Sequence, residues 1–132
     1  MNNLQLVGSF EALVRLSQKE LPAIYSLRLK KLLYKAKEEI QLFESVRLEL
    51  LNRYGFAKEG ATNYEFETQA KKLAWEQEYN ELLLTEADIK FEQIPIKVLI
   101  DNNISISSSD LLLLDWLIIE EDNNDKEKKN NQ

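Results

Sequence analysis

The feature that most constrains this chain is a long segment, residues 22–54, without an internal helix breaker. It contains no glycine and no proline after Pro22, and Gly55 follows it directly. Proline suits the first turn of a helix, where its missing N–H is not needed, and glycine often ends a helix in a left-handed conformation. We therefore predict one helix over residues 22–54, about 50 Å long at roughly 1.5 Å per residue.

The apolar residues of this helix share one broad face when successive residues are placed 100° apart. They are Tyr25, Leu29, Leu32, Leu33, Ala36, Ile40, Phe43, Leu50, Leu51 and Tyr54. A helix of this length cannot bury such a face alone, so it needs a long partner. Thr68 can cap a second helix over residues 68–86, after glycines that break any periodicity in residues 55–67. The sequence thus predicts a long antiparallel helical hairpin.

The N-terminal residues predict a short strand followed by a short helix. Residues 3–7 are largely apolar and end at Gly8, which is typical of an edge strand. Ser9 can cap a helix whose apolar residues begin at Phe10 and recur at helical spacing. That helix should end before Pro22.

After the hairpin, the sequence predicts strands and one more helix. Residues 88–93 alternate up to Pro95, which indicates an edge strand, and residues 103–106 predict a second short strand. Ser109 can cap a final helix that is apolar nearly all round and should be the most buried element. Residues 122–132 are polar and predict a disordered tail. We expect one mainly α, α+β domain over residues 1–121, with a small sheet of two or three strands.

The absence of cysteine and histidine limits the chemistry most strongly. It excludes thiol nucleophiles, serine–histidine–aspartate triads and the usual structural zinc sites. Three glycines cannot build a Gly-rich phosphate loop. The carboxylates do not converge either, since Glu76 and Glu78 diverge on a helix, as do Asp110 and Asp115. We predict no enzymatic activity, no metal and no cofactor.

Apolar runs of at most four residues are far too short to span a bilayer, which needs roughly 20 residues. The N-terminus also lacks the pattern of a signal peptide. We therefore expect a cytosolic protein that does not bind membranes.

A basic stretch, residues 26–37, holds five Lys and Arg side chains and no acidic one in a chain of net charge −6. Arg28, Lys31 and Lys35 lie on one flank of the apolar face, while Lys30 and Lys37 lie on the other. Lysine stems can cover apolar surface and keep their ammonium groups wet, and this interpretation is favoured. The alternative is an acidic partner, or a phosphate backbone, on the Arg28–Lys31–Lys35 flank.

Three further features of the two long helices have alternative interpretations. Arg47 interrupts the apolar face, so we predict a structural ion pair with Glu44, or with Glu76, Glu78 or Glu81 of the facing helix.

Leu27, Tyr34 and Leu48 are spaced by multiples of seven, with Gln41 between them. This row either receives the first helix or forms a self-association seam.

Trp75 and Tyr79 lie on the second of two apolar sides of the helix predicted over residues 68–86. We favour a helix sandwiched between the long helix and the C-terminal segment. The alternative is an aromatic face exposed for a partner.

The order of several phrases resembles a family of small uncharacterised phage and prophage proteins. These phrases are Leu-x-x-x-Tyr-Gly at residues 50–55, Glu-Leu-Leu-x-x-Glu at 81–86, Ile-Pro at 94–95 and Ser-x-x-Asp-Leu-x-x-Leu-Asp at 107–115. The resemblance covers nearly all of residues 20–121, and the polar tail has no counterpart in it. It implies a phage or prophage origin and a small accessory role, and it assigns no functional residues.

Three hypotheses follow. The first is a non-enzymatic accessory protein of the host cytoplasm or virion that acts through protein–protein contacts with itself, a virion protein or a host protein. The second is an inhibitor of a host enzyme or defence system, because residues 55–132 carry a net charge of −9. The third, which the charge pattern disfavours, is nucleic-acid binding through the basic flank.

Overall fold

The computed structural model describes residues 1–57 and 63–120 of the chain. Its elements, in order, are α1 (Asn3–Ser17), α2 (Ala23–Tyr54), β1 (Phe56–Ala57), β2 (Tyr64–Glu65), α3 (Gln69–Leu84), β3 (Ile94–Pro95), α4 (Ile96–Asp101), α5 (Ser108–Leu113) and β4 (Ile118–Ile119). β1 pairs with β2, and β3 with β4, in two separate two-stranded sheets. The predicted class, mainly α with a small sheet, is confirmed, although the described residues form two small sheets instead of one. The predicted tail over residues 122–132 lies outside the described residues.

The N-terminus is helical, so the prediction of a strand over residues 3–7 is wrong. Asn2 caps α1 in a reciprocal capping box with Gln5, which satisfies two backbone N–H groups at the helix start. Ser9, predicted as the cap, is buried within the helix and its Oγ donates to the carbonyl of Gln5 at 2.6 Å. The apolar residues Leu6, Leu13 and Leu16 follow the helical period and face the core.

The long helix is confirmed as α2, and Pro22 occupies its N-cap position. The predicted left-handed cap at Gly55 is wrong, because its φ of −126° and ψ of −176° are extended. Glycine is favoured at this position because a side chain has too little room. A Cβ there would lie 3.0 Å from both the Glu65 carbonyl oxygen and Cε1 of Phe66. β1 and β2 pair antiparallel directly after it, with Phe56 opposite Glu65.

The second hairpin helix is confirmed as α3, and Thr68 caps it by accepting from the Lys71 N–H at 3.1 Å. With 16 residues against 32, α3 covers only the C-terminal half of α2. The prediction that α3 is sandwiched is wrong, since none of its residues is fully buried. The C-terminal segment packs against α1 instead and leaves Leu73 and Leu84 exposed.

The C-terminal third differs most from the predictions. Residues 88–93 and 103–106 form no strand, and pairing occurs instead between β3 and β4, which are parallel, with Ile94 opposite Ile118. Ser107 caps α5 rather than Ser109. The predicted all-apolar helix ends at Leu113, because the chain turns there and brings Leu117 close to Ile94. The Ile94 N–H donates to the Leu117 carbonyl at 2.8 Å.

The core lies where the N-terminal half of α2 meets α1 and the C-terminal segment. Its fully buried side chains come from all three parts of the chain and include Leu6, Leu13, Leu16, Leu29, Ile94, Leu99, Leu114 and Leu117. The C-terminal half of α2 packs separately on α3, where the rings of Phe43 and Tyr79 lie 6.2 Å apart. The core thus fixes the segment after residue 86 against the first turns of α2.

Candidate functional site

An open groove runs between the N-terminal half of α2 and the extended segment formed by residues 90–94. We call it the basic groove, and its volume is about 470 Å³. One wall is Ile24, Leu27, Arg28, Lys31 and Lys35 of α2, the other is Lys90, Phe91 and Glu92, and the floor is Leu29, Leu32, Ile94 and Leu117. All four floor residues are buried in the core, so the floor is apolar and rigidly held.

Helical geometry builds the first wall. Residues three and four apart share a helix face, so Arg28, Lys31 and Lys35 project together towards the groove. Lys30 and Lys37 are not among the lining residues. The structure therefore brings together the three cations that the sequence placed on one flank.

Long-range contacts build the second wall. Phe91 packs edge-to-face on Trp116 with 5.0 Å between ring centroids. The Trp116 indole N–H donates to Ser9 Oγ of α1 at 3.0 Å. The extended segment is thus anchored through an aromatic side chain to α1, and the Ile94 backbone is anchored to the turn at residues 114–117.

The rim of the groove is cationic. Lysine or arginine occurs at positions 28, 31, 35 and 90, against the one carboxylate of Glu92, which gives a net charge of +3. Arg28 pairs with Glu92 at 2.8 Å and lies over the Tyr25 ring, 5.3 Å from its centroid. Lys31 and Lys90 form no ion pair with any residue in the described ranges. These two ammonium groups are therefore available to an anionic ligand.

A second surface lies on the outer side of α2. We call Leu27, Tyr34 and Leu48 the outer row, and their side chains are 49%, 59% and 42% exposed. α1 does not cover this row, since it packs on the opposite side of α2 over Leu29 and Ala36. Single exposed apolar side chains are common on protein surfaces, so it is the regular seven-residue spacing along one side of α2 that indicates a contact surface.

Trp75 and Tyr79 are engaged within the molecule rather than presented together to solvent. Their rings stack at 5.0 Å with a 9° interplanar angle. Phe66 contacts Trp75 at 5.7 Å, and Tyr79 contacts Phe43. Both side chains are half-buried, so this aromatic cluster joins α3 to α2 and to the segment that follows β2.

Arg47 and Glu44 lie on the same helix and form a close ion pair. Arg47 Nη2 donates to Glu44 Oε2 at 2.9 Å, and Nε donates to both carboxylate oxygens. These hydrogen bonds raise the pKa of Arg47. Among the facing carboxylates, Glu78 lies 3.7 Å from Arg53 rather than beside Arg47.

Sequence reasoning did not find the ion pair between Arg15 and Asp110. Arg15 donates through Nε and Nη2 to the two oxygens of Asp110, at 2.9 and 2.8 Å, and so connects α1 to α5. The hydrogen bonds from Arg15 lower the pKa of Asp110 and raise that of Arg15. An open recess lined by these side chains, Lys19 and Ser107 lies beside the pair. A carboxylate in a nearly all-apolar segment was the one signal available.

Neither a membrane-spanning helix nor a cluster of metal ligands occurs among the described residues. No helix there is long and apolar enough to cross a membrane. No group of three or more carboxylates in the same residues could hold a metal ion. Comparison with protein-family models, curated proteins and solved structures finds no match for this chain.

Proposed function

We propose that this chain is a non-enzymatic accessory protein that acts through protein–protein contacts, and that its basic groove binds the partner. The observation that carries the proposal is the combination of an apolar floor with a rim of net charge +3, in a chain of net charge −6. A positive patch on an acidic protein selects partners by complementary charge. The matching partner segment is acidic and also carries apolar side chains.

The composition of the groove favours a protein segment over nucleic acid. Its floor is aliphatic, whereas single-stranded nucleic acid is held by exposed aromatic rings on which the bases stack. The ring of Phe91 already contacts Trp116. Arg28, the side chain best suited to grip a phosphate with two hydrogen bonds, is already paired with Glu92. The overall negative charge would also repel a polyanion.

The size of the groove fits a short segment with a few side chains inserted. A volume of about 470 Å³ is within the usual range for pockets that bind small ligands or anchor residues. Apolar side chains of the partner would lie against Ile24 and Leu27, the apolar wall residues of α2 that are exposed. Its carboxylates would approach Lys31 and Lys90 at the rim.

The source and setting of the protein are part of the same proposal. The resemblance to phage and prophage proteins supports a virion component or an assembly factor that works in the host cytoplasm. A second candidate is an inhibitor of a host enzyme or defence system, which the net charge of −9 over residues 55–132 favours. In that case the acidic part of the chain, rather than the basic groove, would contact the target.

Affinity capture with matched charge variants tests the proposal. Lys31→Glu with Lys35→Glu reverses two rim charges, and Lys30→Glu with Lys37→Glu makes the same charge change on α2 outside the groove. The bait is the full chain, applied to host lysate and to purified virions. We expect one protein to be retained at near-equal amounts by the wild type and the control pair, and lost by the groove pair.

The other outcomes separate the alternatives. A partner that the groove pair retains as well as the wild type would contradict the groove as its binding site and favour the acidic surface. Recovery of DNA or RNA that the groove pair loses would show nucleic-acid binding instead.

A further inference from the structure

The positions of the outer row on α2, together with Gln41, are arranged symmetrically about the middle of the helix. Leu27 and Leu48 are apolar, and Tyr34 and Gln41 are the two inner positions of the same seven-residue spacing. Both pairs have the same midpoint, between Lys37 and Glu38. A two-fold axis at that point places Leu27 of one copy level with Leu48 of another, and Tyr34 level with Gln41. We infer that two copies of this chain associate antiparallel along the outer row.

The side chains brought level by this axis are complementary. Leu27 and Leu48 would bury each other's exposed apolar surface, and this burial would supply the favourable free energy of association. The Tyr34 hydroxyl and the Gln41 amide can each donate and accept hydrogen bonds. A row that matches itself under a two-fold axis is what a symmetric dimer requires.

Charge along α2 selects the antiparallel direction. Residues 23–37 carry five Lys and Arg and no acidic residue, whereas residues 38–54 carry four Glu and two Arg, a net of −2. Antiparallel association places the basic half of each copy beside the acidic half of the other. Parallel association would place five cations beside five, and like charges at a seam are unfavourable. The charge pattern therefore supports a second copy as the occupant of this face.

The size of the row limits the strength of the association. The outer row contributes three apolar side chains per copy, well below the 20–30 residues per side, roughly, of a standard stable interface. The dimer should therefore be weak and depend on concentration. Leu27 belongs both to the outer row and to the wall of the basic groove, but Tyr34 and Leu48 do not line the groove, so this inference goes beyond the proposed function.

Sedimentation of the full chain over a wide concentration range tests the association. We expect the mass to rise from 15.5 kDa towards twice that value as concentration increases. The variant with Tyr34→Lys and Leu48→Lys should stay at the monomer mass. Leu112→Lys, at a side chain that is 76% exposed and far from α2 in sequence, should still dimerise. Circular dichroism would show that all three are folded.

Disulfide cross-linking tests the direction, since the chain has no cysteine of its own. In the antiparallel dimer, Leu27→Cys in one copy lies level with Leu48→Cys in the other. Two copies of Leu27→Cys are separated by about 30 Å along the helix axis. We expect a mixture of the two variants to cross-link far more than either variant alone.

Two results would overturn the inference. A monomer at every concentration would exclude the dimer, and if the Tyr34 and Leu48 variant then also lost a captured partner, the outer row would serve a different protein. Cross-linking of Leu27→Cys with itself would show a parallel arrangement. If partner capture by the groove fails while the mass still doubles, only the proposed function is affected.

Discussion

Arg15 and Asp110 lie 95 positions apart and are joined by two parallel hydrogen bonds. The pair holds α1 against the short helix α5, whose first turn Ser107 caps through the Asp110 N–H at 3.0 Å. Asp110 therefore contributes two contacts: its carboxylate accepts from Arg15, and its backbone N–H donates to Ser107 Oγ at the start of α5. This contact makes the stability of the C-terminal segment depend on pH.

The first prediction is that the Arg15–Asp110 pair stops stabilising the fold at low pH. Because Arg15 lowers the pKa of Asp110 in the folded state, the pair stabilises the fold above the unfolded-state pKa of about 3.9 and ceases to do so as pH falls through the lower folded value. We expect Asp110→Asn to unfold at a lower temperature at pH 7, and the difference from wild type to shrink as the pH falls below about 3.9. Thermal unfolding followed by circular dichroism measures both. Asp115→Asn, at an exposed aspartate five residues on, is the control, and equal pH dependence of Asp110→Asn and wild type would contradict the prediction.

The second prediction compares one substitution at two glycines. Gly55→Ala would crowd the Glu65 carbonyl and Phe66, and such overpacking costs about 1–3 kcal/mol, more than the gain of about 0.4–1 kcal/mol from a less flexible unfolded chain. Gly8→Ala meets no atom within 4 Å and lies inside α1, where alanine is favoured by roughly 0.5–1 kcal/mol. Urea unfolding should show opposite signs. A destabilised Gly8→Ala would argue against a helical N-terminus.

The third prediction distinguishes the observed C-terminal turn from a buried helix. Leu114 is fully buried, so Leu114→Ala should lower the free energy of unfolding by about 2–5 kcal/mol. Leu112 is 76% exposed, and Leu112→Ala should change it by less than about 0.5 kcal/mol. Chemical denaturation of the two variants measures the difference. Similar losses at both positions would mean that this segment is buried all round.

The fourth prediction concerns the anchor of the second groove wall. Ser9→Ala removes the acceptor of the Trp116 indole N–H, and leaving a half-buried donor unpaired costs about 1–3 kcal/mol. Tryptophan fluorescence should report the changed surroundings of Trp116, and urea unfolding the loss of stability. Ser109→Ala, at an exposed serine of α5, should leave both unchanged. An unaltered unfolding midpoint for Ser9→Ala would show that the hydrogen bond does not stabilise the wall.

The parts of this fold that sequence reasoning predicted are those decided locally. α2 follows from the absence of helix breakers after Pro22, and the start of α3 follows from the hydroxyl of Thr68. The prediction of a strand over residues 3–7 is wrong because the cap at Asn2 and the seven-residue spacing of Leu6 and Leu13 favour a helix.

The end of α5 could not be predicted because no glycine or proline marks it. The chain turns after Leu113 so that Leu117 can meet Ile94, which is a contact between distant residues. The candidate site likewise has one part that local sequence spacing predicts and another that depends on contacts between distant residues. Helical spacing placed Arg28, Lys31 and Lys35 on one flank, but nothing near Lys90 or Leu117 in the sequence indicates that they complete the groove.

The floor of the groove joins early and late parts of the chain, Leu29 from α2 and Leu117 from the turn before β4. During synthesis, α2 can form well before residue 117 has been added, and the basic wall then exists without Ile94 and Leu117 of the floor and without its opposite side. Because domains fold as units, an incomplete chain presents the cations of α2 without the binding site. A partner that needs the complete groove would therefore bind only molecules whose folding is finished.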